Sequence, residues 1–295
     1  MAIITTLTAQ AELYEKGTPP PKKKARADIP DYFFQKHVID QKENLFNDLP
    51  LQAAFSVFSI PREVSTYIIA NETNRQSLID RIPLNADLVA NNLHIGFSCD
   101  VNFDLIARRK PAYAIIADID PAMFGAYQII KKTLALVKSR HEFVDQLLSD
   151  KKIQDALGIC GLDKELWKTG YLSAKFYYLL NQRFSWLGSD ESFDFVKNFF
   201  QQDRCHFVNL NILNIDDIKK VARWYESKGL RVDSIYLSNI QEWINKEQTF
   251  RYRDNINLLI KSPDTFIIDA KYPKEDRRID SGPPLRVSQG RLLID

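Results

Sequence analysis

Cysteine, glycine and histidine are all scarce in this chain of 295 residues, which holds three cysteines, ten glycines and four histidines. Cys99, Cys160 and Cys205 lie far apart and form no CxxC pair. That excludes the usual zinc-ribbon and thioredoxin-type spacings and leaves reduced thiols, each packed as a small hydrophobe. His37, His94, His141 and His206 show no ligand spacing, so structural roles and no metal site are expected. No Walker A loop, GxSxG elbow or full GxGxxG turn is present, against P-loop NTPase, serine hydrolase and dinucleotide dehydrogenase chemistry. No stretch approaches the ~20 apolar residues that cross a bilayer. The opening MAIITTLTAQAELYEK lacks the basic n-region of a secretory signal, so a cytoplasmic protein without membrane contact is expected. Excess charge of one sign is missing too: the formal net charge is +2, and nothing global demands nucleic acid or an anionic surface as partner.

What is present is material for a core. Hydrophobic residues make up 45% of the chain and aromatics 12%, enough for one large domain. Residues 1–30 read as a flexible leader, because Gly17-Thr18-Pro19-Pro20-Pro21 runs into Lys22, Lys23, Lys24 and Arg26. The basic run fits a solvated tail. It also resembles a monopartite nuclear-import signal, which would matter in an effector delivered to a host cell. A third reading, nucleic-acid contact through the leader, requires steep salt dependence and loss of binding on removal of residues 1–28. An α/β domain is expected over 31–271, with an irregular tail over 272–295.

Within that domain the apolar pattern predicts a helix over 30–49, a strand Leu93–Gly96 and a helix Asn102–Arg109. Tyr113–Asp118 is a continuous apolar run, as suits a central parallel strand buried on both faces. Helices follow after Pro121 and over 140–157, then an aromatic-rich helical segment over 158–203 that could cap a cleft or form a partner surface. Strands at Cys205–Leu213, Val232–Leu237 and Thr265–Ala270 alternate with helices over 216–228, capped by Asn214 and stopped by Gly229, and over 247–260. Alternation of this kind predicts a doubly wound, mostly parallel sheet with a helical insertion between its second and third strands.

Doubly wound sheets bind ligands at the carboxyl ends of their strands, where the strand order reverses. Polar residues stand at those ends here: Gly96, Ser98, Asp100 and Asn102 after the first strand, and Asp118 and Asp120 after the second. Asn211 and Asn214 follow the third, and Ser238 and Asn239 the fourth. Glycine lets a ligand approach the backbone, and an acid about 20 residues further on can accept from ribose hydroxyls. Asp118 and Asp120 have that spacing from Gly96. No acid–base dyad stands out, and no catalytic residue is assigned.

The stretches Gly96–Ala107, Lys110-Pro111-Ala112, Ile116–Ile119, Tyr236–Ile240 and Thr265–Ile267 resemble an uncharacterised bacterial family with a class I S-adenosylmethionine (SAM) methyltransferase-like fold. The resemblance spans about residues 90–140 and 205–270. It implies a Rossmann-like fold, SAM as cofactor and methyl transfer to an unknown substrate. The first-strand loop and the ribose acid would bind the cofactor, and Ser238 and Asn239 would line the reacting methyl. Asn211 could contact adenine or a substrate amine. Ser98-Cys99-Asp100-Val101 departs from the family pattern by lacking a second glycine and a Pro-Glu-Gln. The alternative is therefore a catalytically inactive binding protein on the same fold.

Overall fold

The computed structural model describes residues 48–51, 68–98, 100–159, 169–271 and 283–290. The basic leader, nearly all of the helix expected over 30–49, Cys99, Cys160 and Trp167 lie outside the described residues. The described chain runs α1 (Arg75–Arg81), β1 (Val89–Phe97), α2 (Val101–Arg109), β2 (Pro111–Asp118), α3 (Pro121–Leu136), α4 (Arg140–Ser149), α5 (Lys151–Ile159), α6 (Tyr171–Leu180) and α7 (Asp190–Gln201). It continues through β3 (Cys205–Asn209), α8 (Ile215–Ser227), β4 (Arg231–Tyr236), a short 3-10 turn (Ile240–Glu242), α9 (Lys246–Leu259), β5 (Phe266–Ala270) and β6 (Leu285–Gln289).

The six strands form one sheet in the order β3-β2-β1-β4-β5-β6. All neighbours are parallel except β5 and β6, which pair antiparallel from Phe266↔Gln289 to Ala270↔Leu285. The expected mixed α/β architecture and the insertion between the second and third strands are present, the latter as α3 to α7. Its chirality accounts for the layering. The chain steps outward from β1 to β3 with α2 and the insertion on one face, then returns to β4 and β5 through α8 and α9. Keeping one crossover hand while the direction reverses puts those two helices on the opposite face. Two cores result: one holds Phe103, Phe124, Tyr127, Phe143, Trp186 and Phe193, the other Leu93, Ile95, Ile115, Ile218, Trp224 and Ile256.

Local chemistry fixes the helix starts. Ser139, Ser189, Asn214 and Asn245 each accept a backbone N–H at a helix N-terminus, and Asn245 completes a capping box with Gln248. Gly229 closes α8 in the left-handed region at φ 65. Three expectations need correction. The helix over 140–157 is two helices, because Asp150 is extended and turns its carboxylate onto Lys152 N at 2.8 Å, capping the second. The third strand ends at Asn209 rather than Leu213. The tail is not irregular throughout, since Leu285–Gln289 adds an edge strand to the sheet.

Candidate functional site at the β1–β4 switch point

Strand β1 is flanked by β2 and β4, whose crossovers leave on opposite faces, so the order reverses beside β1. Sheets of this kind bind ligands outside the carboxyl ends of the strands that flank the reversal, here β1 and β4, and that place is the candidate crevice. Immediately beyond those ends stand Ser98 and Ser238, both non-glycine residues in the left-handed region, at φ 65 and φ 49. Backbone strain of this sort tends to collect at ligand sites.

The sequence-predicted residues divide into two groups. Asp118, the last residue of β2, and Asp120 just beyond it are half-buried, and Asp118 Oδ1 accepts from Asp120 N at 2.8 Å. Ser238 is buried and Asn239 half-buried past β4; Asn239 Oδ1 accepts from Trp243 Nε1 at 3.2 Å. Asn211 is exposed in the turn after β3 and accepts from Leu213 N. Gly96, Asp100 and Asn102, by contrast, are built into the interior. A Cβ on Gly96 would fall 1.6 Å from Asn102 Oδ1 and 2.8 Å from His94 Nε2, so this glycine makes room for side chains of the chain itself. Asp100 Oδ1 accepts from Ala70 N at 2.7 Å, and Oδ2 from Arg75 at 3.0 Å.

Beneath the crevice lies a polar layer. On β1, Leu93 and Ile95 join the core under α8 and α9, while His94 is fully buried among polar partners between β4 and α2. Asn102 Nδ2 donates to the Phe97 carbonyl at 3.1 Å, which turns Asn102 Oδ1 toward His94 Nε2 at 3.1 Å. The proton is therefore on Nε2, and His94 Nδ1 accepts from the Ser234 hydroxyl at 2.9 Å. Burial lowers His94 from 6.5 to about 4. A folded value below the unfolded one gives stability that is full above pH 6.5 and is lost as pH falls toward 4. The stability advantage of the wild type over His94→Gln should thus shrink by about 3 kcal/mol between pH 7 and pH 4. Urea unfolding of both proteins across that range reads it, and a constant difference would mean that His94 gains a proton as easily in the fold as outside it.

Arg75 on α1 bridges Asp100 and Asp104, making its closest contact with Asp104 Oδ2. Asp104 Oδ1 accepts from Trp186 N at 2.8 Å, which ties α2 to the insertion. Burial pushes Asp104 up to about 7 against the pull of Arg75, and Asp100 pushes the same way, since two carboxylates share one guanidinium. Further from the crevice, Asp233 accepts both Arg109 Nε at 2.8 Å and Nη2 at 2.6 Å, and Asn92 at 3.0 Å. A cavity of about 280 Å³ lies at that opposite end of the strands, bordered by Arg109, Arg231, Asp233, Asp264, Phe266 and Gln289.

Sequence reasoning missed Glu72 and Tyr236. The segment carrying Glu72 joins the sheet beside β6 through a bridge between Thr73 and Pro284. Glu72 Oε1 accepts from Tyr236 OH at 2.8 Å and from Ser238 Oγ at 2.6 Å, while its buried Oε2 has no hydrogen-bond partner. Only the Ser-Asn pair after β4 signalled the spot in the sequence; Glu72 lies 166 residues earlier than Ser238.

One family model, described as a domain of unknown function (DUF7790), matches residues 67–160 and 172–287, more than half of the chain. The chain belongs to this family. The DUF7790 match takes in the Glu72 segment, all five parallel strands and most of β6, so every residue of the crevice named above falls inside it. A search of curated proteins finds no match.

Proposed function

We propose that this DUF7790 protein has a Rossmann-like methyltransferase fold, binds SAM at the β1–β4 switch point and methylates an unidentified substrate. The observation that carries the reading is the strand order 3-2-1-4-5 around β1, with half-buried Asp118 and Asp120 at the end of β2. Those acids fit ribose hydroxyls, and Ser238 and Asn239 border the crevice from the β4 side. Bound SAM supplies an electrophilic methyl group, and the protein's part is chiefly to position it against a nucleophile.

A second reading, a catalytically silent binding protein on the same fold, draws support from the first-strand loop. Asn102 fills the space over Gly96, and Asp100 is spent on Arg75 and Ala70 N, which leaves less backbone open to a ligand carboxylate. Calorimetric titration with SAM and S-adenosylhomocysteine separates the two. The methyltransferase reading expects micromolar binding that falls at least about tenfold in either Asp118→Ala or Asp120→Ala, a loss of roughly 1.4 kcal/mol. Absence of binding at millimolar ligand, in protein that melts cooperatively, would overturn it in favour of the silent scaffold.

A further inference from the structure

Glu72 carries an acceptor the fold leaves unused. The residue is only 7% exposed, and its buried Oε2 makes no hydrogen bond. A buried charge with one side unsatisfied is costly, and native interiors rarely tolerate such a group without a role for it. Anchoring the 68–73 segment does not need Oε2, because Oε1 alone receives both Tyr236 and Ser238. No Lys or Arg pairs with Glu72 among the described residues. The location is the turn after β4: Ser238, strained at φ 49, gives its hydroxyl proton to Glu72, and its chain neighbour Asn239 holds the indole of Trp243, 47% exposed. The turn after β4 thus meets the buried carboxylate at one residue and holds an exposed aromatic ring through the next.

We propose that Glu72 is a recognition residue for a primary amine, whose ammonium donates to Oε2 and supplies the missing countercharge. The crevice beside β4 then takes substrates bearing an aminoalkyl or aminomethyl-aryl group, with Trp243 offering a ring face to the cation or its aryl substituent. Within the methyltransferase reading, on whose crevice this inference rests, the substrate carries that amine. Amine recognition by Glu72 nevertheless requires no cofactor.

The test is a ligand-observed NMR titration of the full chain with butylammonium and benzylammonium chloride, using butanol and benzyl alcohol as uncharged isosteres. Each titration runs with and without S-adenosylhomocysteine. Amine binding in the millimolar range or tighter is expected, with the alcohols at least tenfold weaker. Glu72→Gln, which keeps the shape and removes the charge, should lose amine affinity about tenfold while S-adenosylhomocysteine affinity is unchanged. Should Glu72→Gln fail to melt cooperatively, Glu72→Asp keeps the charge, draws it back by one methylene and should weaken amines selectively. Amine binding that is equal in the variants, or absent from the wild type in both conditions, overturns the proposal. Glu72-dependent amine binding by a protein that itself binds no S-adenosylhomocysteine at millimolar concentration would sustain it while removing the cofactor reading.

Discussion

Arg75→Ala is expected to cost about 3–5 kcal/mol of folding stability, the range for breaking a buried ion pair from one side. The guanidinium is 7% exposed and supplies the cation for both Asp100 and Asp104, themselves 4% and 1% exposed. Removing it leaves two carboxylates facing one another across a space closed to water. Asp104, already raised by burial, would then hold its proton still more readily in the fold than in the unfolded chain. Stability of the variant therefore falls as pH rises through the carboxylate range, the direction in which a raised folded pKa acts. Urea unfolding at pH 5 and pH 8 should show the gap to wild type widening at the higher pH. A gap independent of pH would mean that water reaches the carboxylates and solvates them. Arg75→Ala combined with Asp104→Asn should recover part of the loss, because Asp104 is already pushed up to about 7 beside its partner. The Asn can still offer an oxygen to Trp186 N, so the tie to the insertion survives.

The parallel sheet was legible because its strands announce themselves locally. Pro111–Asp118 is apolar at nearly every position, and caps such as Asn214 act on the residues next to them, so chain-local patterns suffice. Elements whose stability comes from distant partners were harder to read. Strand β6 is short, polar on its outer positions, and stabilised by pairing with β5 and by the contact of Arg286 with Asp269, both of which depend on β5 residues outside its own sequence. The break at Asp150 depends on one side chain choosing its local backbone over helix continuation, an outcome that apolar periodicity does not encode.

The candidate site shows the same division. Strand-end residues Asp118, Ser238 and Asn239 follow from the rule that parallel sheets bind ligands at their carboxyl ends, and the structure brings them to that edge. Which of them remain available to a ligand is a question of three-dimensional hydrogen bonding. Asp100 looked like a loop acid, but Arg75 reaches it from α1, 25 residues back. Glu72 gave no signal at all, since its meaning comes from Tyr236 and Ser238, brought over it by the pairing of β4 with β1.

Gly96→Ala distinguishes the two roles that glycine can have at the end of β1. The added methyl would meet Asn102 Oδ1 at 1.6 Å and Asn102 Cγ at 2.6 Å. Asn102 cannot swing aside cheaply, being fully buried and bonded both to the Phe97 carbonyl and to His94. A loss of about 2–4 kcal/mol is expected, combining overpacking with a broken buried hydrogen-bond network. Asn102→Ala removes the obstructing amide, so the double variant should be more stable than the sum of the single losses by about 1–3 kcal/mol. Thermal or urea unfolding of the four proteins closes that cycle; additive losses would mean that the two residues do not collide. The double variant also bears on function. If Gly96 serves a ligand by exposing its backbone, the methyl group still obstructs that approach after the clash with Asn102 is gone, and SAM affinity stays below that of Asn102→Ala alone. If the glycine exists only to seat Asn102 against His94, the double variant and Asn102→Ala bind SAM equally or not at all. In that case the first-strand loop belongs to the core, and any ligand contacts lie on the β2 and β4 side of the crevice.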